Sequence, residues 1–118
     1  MINLLYHLVE VRGLEVKIHY SSKKLEKILS DERLINRHFT NCCQGLINRL
    51  AELAAVSNLS LISMSPPPRK HKLIGDLLNC WSVDVSKNYR LIFRAYEENC
   101  LDESEIKEII IEEIKDYH

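Results

Sequence analysis

At 118 residues the chain fits one domain and can bury a core without disulfide or metal staples. Hydrophobic residues make up 46% and charged residues 28%, which excludes a disordered chain, and no run approaches the ~20 apolar residues of a membrane span. Net charge is −1, yet residues 97–116 sum to −7 and the rest to +6, so a general polycation is excluded while a basic body with an acidic patch is not. A solvated acidic loop would give the same split. The cysteines are Cys42, Cys43, Cys80 and Cys100, with no Cys-x-x-Cys pair. Adjacent sulfurs chelate poorly, so all four read as free thiols of a reducing compartment. Met1 to Val9 is apolar but lacks a basic lead and a small-residue cleavage site, and a cytoplasmic protein is expected.

In chain order, residues 1–15 read as an N-terminal extension ending near Gly13. Val16-Lys17-Ile18-His19-Tyr20 alternates apolar and polar, the period of a strand. Ser21-Ser22 offers capping hydroxyls to a short helix with Leu25, Ile28 and Leu29 on one face, and Ser30-Asp31 ends it and caps another. The second helix is expected from Glu32 to Val56, with Ile35, Phe39, Cys42, Cys43, Leu46, Leu50 and Leu53 as its apolar stripe. Gly45 inside it costs about 1 kcal/mol relative to alanine. Residues 57–70 read as a loop containing Pro66-Pro67-Pro68.

Trp81 to Val85 alternates as a strand, Ser86-Lys87-Asn88 makes a tight turn, and Tyr89 to Tyr96 returns. That returning strand sets Tyr89, Leu91, Phe93 and Ala95 on one face and Arg90, Ile92, Arg94 and Tyr96 on the other. After an acidic loop, Lys107 to Ile114 is a third strand. The order predicts an α+β domain: two N-terminal helices packed on an antiparallel sheet of at least three strands, plus the N-terminal strand. Trp81 belongs in its core, and Gly75 suits a turn with positive φ.

The stretch Arg69-Lys70-His71-Lys72-Leu73-Ile74-Gly75, then Trp81-Ser82-Val83-Asp84-Val85 and Asn88-Tyr89-Arg90-Leu91-Ile92-Phe93, resembles the centre of HigB-type toxins of the RelE/ParE superfamily. The ending Ile114-Lys115-Asp116-Tyr117-His118 resembles their Asp-Tyr-His terminus, and Tyr20-Ser21-Ser22-Lys23-Lys24-Leu25 resembles the opening of their "proteic killer" branch. The likeness spans about residues 16–118 and implies a RelE-like fold. It implies a ribosome-dependent endoribonuclease that cuts mRNA, neutralised by a helix-turn-helix antitoxin of the HigA type. Ile74 stands where the family often has lysine, and Asn79 stands near its usual glycine.

Cutting RNA without a metal needs a base for the 2′-OH proton, a cation for the phosphoryl charge and an acid for the leaving oxygen. Histidine titrates near neutrality and arginine offers a permanent planar fork of donors. The resemblance assigns His71 to acid or base work and Arg90 to the phosphate. It makes His118 a second proton-transfer or orienting group, Asp116 an orienter of an imidazole or the 2′-OH, and Tyr117 a stacking or hydrogen-bonding group. Arg69, Lys70, Lys72 and Lys87 are candidates for RNA-backbone contacts, which would make binding salt-dependent. Glycine-rich nucleotide loops, metal-ligand clusters and a Ser/His/Asp set are absent from the sequence, so no cofactor and no metal are expected. Two other readings stay open: a ParE-like gyrase inhibitor without catalysis, and an inactive relative that only binds its antitoxin as co-repressor.

Overall fold

The computed structural model describes residues 15–75, 79–98 and 100–117. The N-terminal extension thus lies outside the described residues except for Glu15, and the candidate His118 lies outside them too. Strand β1 is Lys17–Tyr20 and helix α1 is Lys23–Leu29, capped by Ser22, whose side chain accepts from the backbone N–H of Leu25 at 3.0 Å. Helix α2, Glu32–His38, is capped by Asp31, which accepts from the N–H of Arg33 at 2.9 Å. Both caps sit at the serine and aspartate that the sequence marks.

The single helix expected over Glu32–Val56 is corrected to two. Phe39 leaves helical geometry at φ −132° and ψ 49°, Thr40–Cys42 form one 3₁₀ turn, and helix α3 runs Cys43–Ala55. The Thr40 hydroxyl donates to the carbonyl of Asn36 at 2.7 Å, competing with the helical ladder at its weakest stretch, Thr-Asn-Cys-Cys. The stripe survives because Ile35, Cys42, Leu46 and Leu53 are all buried on the sheet.

Strand β2 is the short pair His71–Lys72, β3 is Cys80–Asp84, β4 is Tyr89–Ala95 and β5 is Glu108–Asp116. The sheet runs in the order β1-β5-β4-β3-β2. Strands β2 to β5 pair antiparallel with their neighbours, and β1 pairs with β5 in parallel. The meander is the one the sequence predicts; β2 and the parallel closure are additions. Trp81, Val83, Leu91, Phe93, Ile109 and Ile111 cover one face, buried against Leu46, Leu53 and Leu59. Each large apolar side chain so buried contributes roughly 1.5–3 kcal/mol.

A bulge corrects the phase of β5. Phe93 faces Ile111 and Ile92 faces Glu113, so Glu112 is the extra residue. The pattern Ile109, Ile111, Ile114 is two-spaced and then three-spaced, and only an inserted residue returns Ile114 to the core while leaving Glu113 in solvent. The expected loop 57–70 also contributes to the core, through Leu59 in a 3₁₀ turn and Ile62. Among the described residues no helix is long and apolar enough to cross a membrane.

Candidate functional site

The sheet face away from the core is where the sequence-selected groups meet. Leu91 and Phe93 are buried in the core, so alternation turns Arg90, Ile92 and Arg94 to the other face, as expected. Across the strands His71 pairs with Ser82, Ser82 with Ile92, and Asp84 with Arg90, giving that face a continuous floor. Ser82 and Ile92 are themselves buried, and the Ser82 hydroxyl finds no hydrogen-bond partner among the described residues.

His71 is half-buried, and its Nδ1 lies 3.1 Å from the carbonyl oxygen of Arg69. A carbonyl only accepts, so Nδ1 carries the proton and Nε2 of the neutral ring presents its lone pair. Arg69 itself adopts φ +47°, a left-handed geometry uncommon for a side-chain-bearing residue and enriched where a site constrains the backbone. Its guanidinium makes a bidentate pair with Asp84: Nε donates to Oδ2 at 2.7 Å and Nη2 to Oδ1 at 2.9 Å. That hydrogen bonding raises the Arg69 pKa above its ordinary value. Arg90 reaches the same carboxylate, Nε to Oδ1 at 2.9 Å. The Arg90 Nη1 donates to the carbonyls of Ser86, Lys87 and Tyr89 at 3.2–3.3 Å, so the turn holds the guanidinium from behind. The ring of Tyr117 lies 5.4 Å from the Arg90 guanidinium carbon and 5.9 Å from the Lys115 ammonium, a cation–π contact on both.

His71, Arg69, Arg90 and Tyr117 are therefore on one sheet face. Other candidates are placed differently. Lys70 is corrected from RNA contact to structural anchor: it is 3% exposed, its Nζ donates to the Leu59 carbonyl at 2.9 Å and it is paired with Glu103. Alternation along β2 sends it and Lys72 away from His71, and the Lys72 ammonium lies 5.5 Å over the ring of the core residue Trp81. Asp116 pairs across from Tyr89, two residues on from Ile114, so it shares the core-side face rather than that of His71. Its charge acts there on the buried thiol of Cys42. Lys87 is exposed at the turn, where its carbonyl is one of the acceptors for Arg90.

Asp84 is the residue that reading the sequence for function overlooks. The signal was present: a turn over Ser86–Asn88 sets the register that places Asp84 across from Arg90. The pedestal beneath Asp84 was not visible. Its N–H donates to the Pro68 carbonyl at 2.7 Å, and its carbonyl accepts from Nη1 of the buried Arg49 on α3 at 3.3 Å. One residue on, α3 approaches so closely that a Cβ on Gly45 would lie 1.8 Å from the Val85 oxygen.

No protein-family model matches the sequence, and no curated protein matches it either. Solved structures do match the fold. A YoeB/ParE toxin from Agrobacterium tumefaciens is similar at a TM-score of 0.52 and 14% identity, covering 87% of this chain and 100% of that one. A chain of the YoeB–YefM complex from Staphylococcus aureus is similar at 0.51 and 13% identity, covering 88% of this chain and 98% of that one. At such identity the likeness establishes the fold alone: the chain folds as these two solved toxins do.

Proposed function

We propose that the chain is the toxin of a type II toxin–antitoxin system and acts as a metal-independent endoribonuclease on mRNA at the ribosome, of the HigB type. The carrying observation is His71 fixed by the Arg69 carbonyl on the same sheet face as Arg90, whose guanidinium is itself seated on the turn carbonyls. In this reading the His71 Nε2 takes the 2′-OH proton, or, once protonated, gives a proton to the 5′ leaving oxygen. Arg90 meets the phosphoryl oxygens, whose charge grows as the 2′ oxygen attacks. Tyr117 offers its exposed ring to a base. His118 keeps its proposed role as the second proton-transfer group. Asp116 drops out of the set, because its strand position directs it to the other face.

The antitoxin belongs to the proposal as well. The structurally similar Staphylococcus aureus toxin is known in a heterotetrameric complex with YefM, and a helix-turn-helix antitoxin is the proposed partner here. The test is induction of the protein without antitoxin, followed by primer extension on a cellular transcript. New 5′ ends within codons are expected, and His71→Ala should reduce their appearance by about a hundredfold or more. Growth arrest without new ends would sink the ribonuclease reading; inhibition of purified gyrase in a supercoiling assay would then establish the ParE-like one.

A further inference from the structure

The guanidinium donors on the open face are already occupied by an anion. Asp84 takes the Nε and Nη2 edge of Arg69, the edge that arginine uses for bidentate grip on a carboxylate or phosphate, and it also takes the Nε of Arg90. One carboxylate oxygen, Oδ1, accepts from the Nη2 of Arg69 and is ion-paired with the Nε of Arg90. Three converging contacts from two cations make a built anion seat, filled from within. The short Asp84 side chain stands on a backbone held by Pro68 and Arg49, which keeps the root of its carboxylate beside the arginines.

We infer that Asp84 is an internal competitor: the Arg69–Arg90 pair is a seat for a single phosphodiester, and the Asp84 carboxylate sets how weakly that phosphodiester binds. The choice of phosphodiester rests on the function proposed above; the seat and its occupant rest on the contacts alone. An entering phosphate must share or displace hydrogen bonds that Asp84 now receives, and it meets a fixed negative charge beside them. The seat then has a net charge of one positive unit instead of two. Its position on the sheet, next to the Arg69 carbonyl that orients His71, brings the seated phosphate beside the ring that would take the proton.

The sign of the effect separates this role from a merely structural one. Asp84→Asn keeps the shape and removes the charge. Fluorescence anisotropy with a single-stranded, all-deoxy oligonucleotide, which lacks the 2′-OH and is not cut, reads binding alone. Asp84→Asn should bind about fivefold to tenfold more tightly than the wild type. The slope of log affinity against log salt should steepen by about 0.7, one further phosphate contact. Asp84→Glu, which keeps the charge, should stay within about twofold of wild type, and so should Glu26→Gln, an equal charge change at an exposed position of helix α1, which packs on the other side of the sheet. Asp84→Ser provides a second charge-removing variant should the asparagine fold poorly, and it must show the same gain. Arg90→Ala added to Asp84→Asn should abolish the gain. Equal or weaker binding by a folded charge-removed variant overturns the proposal. A gain in affinity in a protein that makes no cuts in cells would leave the seat standing and the nuclease reading refuted.

Discussion

Arg69 shows how one residue ties a site together. Its left-handed backbone turns its carbonyl to His71 while its side chain grips Asp84, and neither contact is legible from residue types along a loop. The histidine and arginine themselves were legible, because their residue types and order carry the family resemblance. The thiols divide at the same scale. Burial pushes the Cys42 thiol up, with Cys43 and Asp116 adding to it, and burial also raises that of Cys80, helped by Glu112 and opposed by Arg94. Cys43 and Cys100 are only partly buried. Raised pKa and burial both reduce the reactive thiolate at neutral pH. Iodoacetamide at pH 7 should therefore label Cys43 and Cys100 at least roughly tenfold faster than Cys42 and Cys80, read by peptide mass spectrometry. Uniform labelling of the native protein would contradict the burial.

Among the elements, helix α3 carries the sharpest test. Helix propensity alone says that Gly45→Ala should stabilise by about 1 kcal/mol. The tertiary structure reverses the sign, since the added methyl would meet the backbone oxygen of Val85 at 1.8 Å. Backbone cannot step aside as a side-chain tip can, so a net loss of about 1–3 kcal/mol is expected in urea unfolding. Any gain in stability would show that α3 does not lie so close to β3. The same closeness seats the strand end from which Asp84 projects, so the variant should also weaken the arginine pair. The periodicity of this region announced its apolar stripe but not the break at Phe39, because a 3₁₀ turn shifts the phase too little to disturb three- and four-residue spacing.

Across the whole molecule, charge is arranged differently from its sequence distribution. Three of the nine acids of the acidic stretch are held within the fold: Glu103 pairs with Lys70 and accepts from the Trp81 indole at 2.9 Å, Glu108 contacts His19 at 2.7 Å, and Glu112 pairs with Arg94. The loop after β4 is thus fastened beneath the sheet by Lys70, whose ammonium is shielded from solvent. Lys70→Met should destabilise by about 2–3 kcal/mol, since Glu103 loses its cation. Adding Glu103→Gln should recover part of that loss. Oligonucleotide binding by the folded single variant should keep its salt slope, because a buried lysine releases no counterions. A shallower slope would restore Lys70 to the RNA face.

The sequence by itself determined the local choices. Ser22 and Asp31 set the helix starts, strand alternation chose which face of β4 meets the helices, and the order of elements implied an antiparallel meander with helices on one side. These follow from short-range geometry, where each residue's period and capping chemistry act within a turn or a strand. Only the tertiary structure decided the parallel β1–β5 pairing, the burial of Lys70, the exile of Asp116 to the core-side face and the union of Arg69 with Arg90 through Asp84. Each depends on residues far apart in the chain being brought to one place, and hydrogen-bond register and packing, not local propensity, control that meeting.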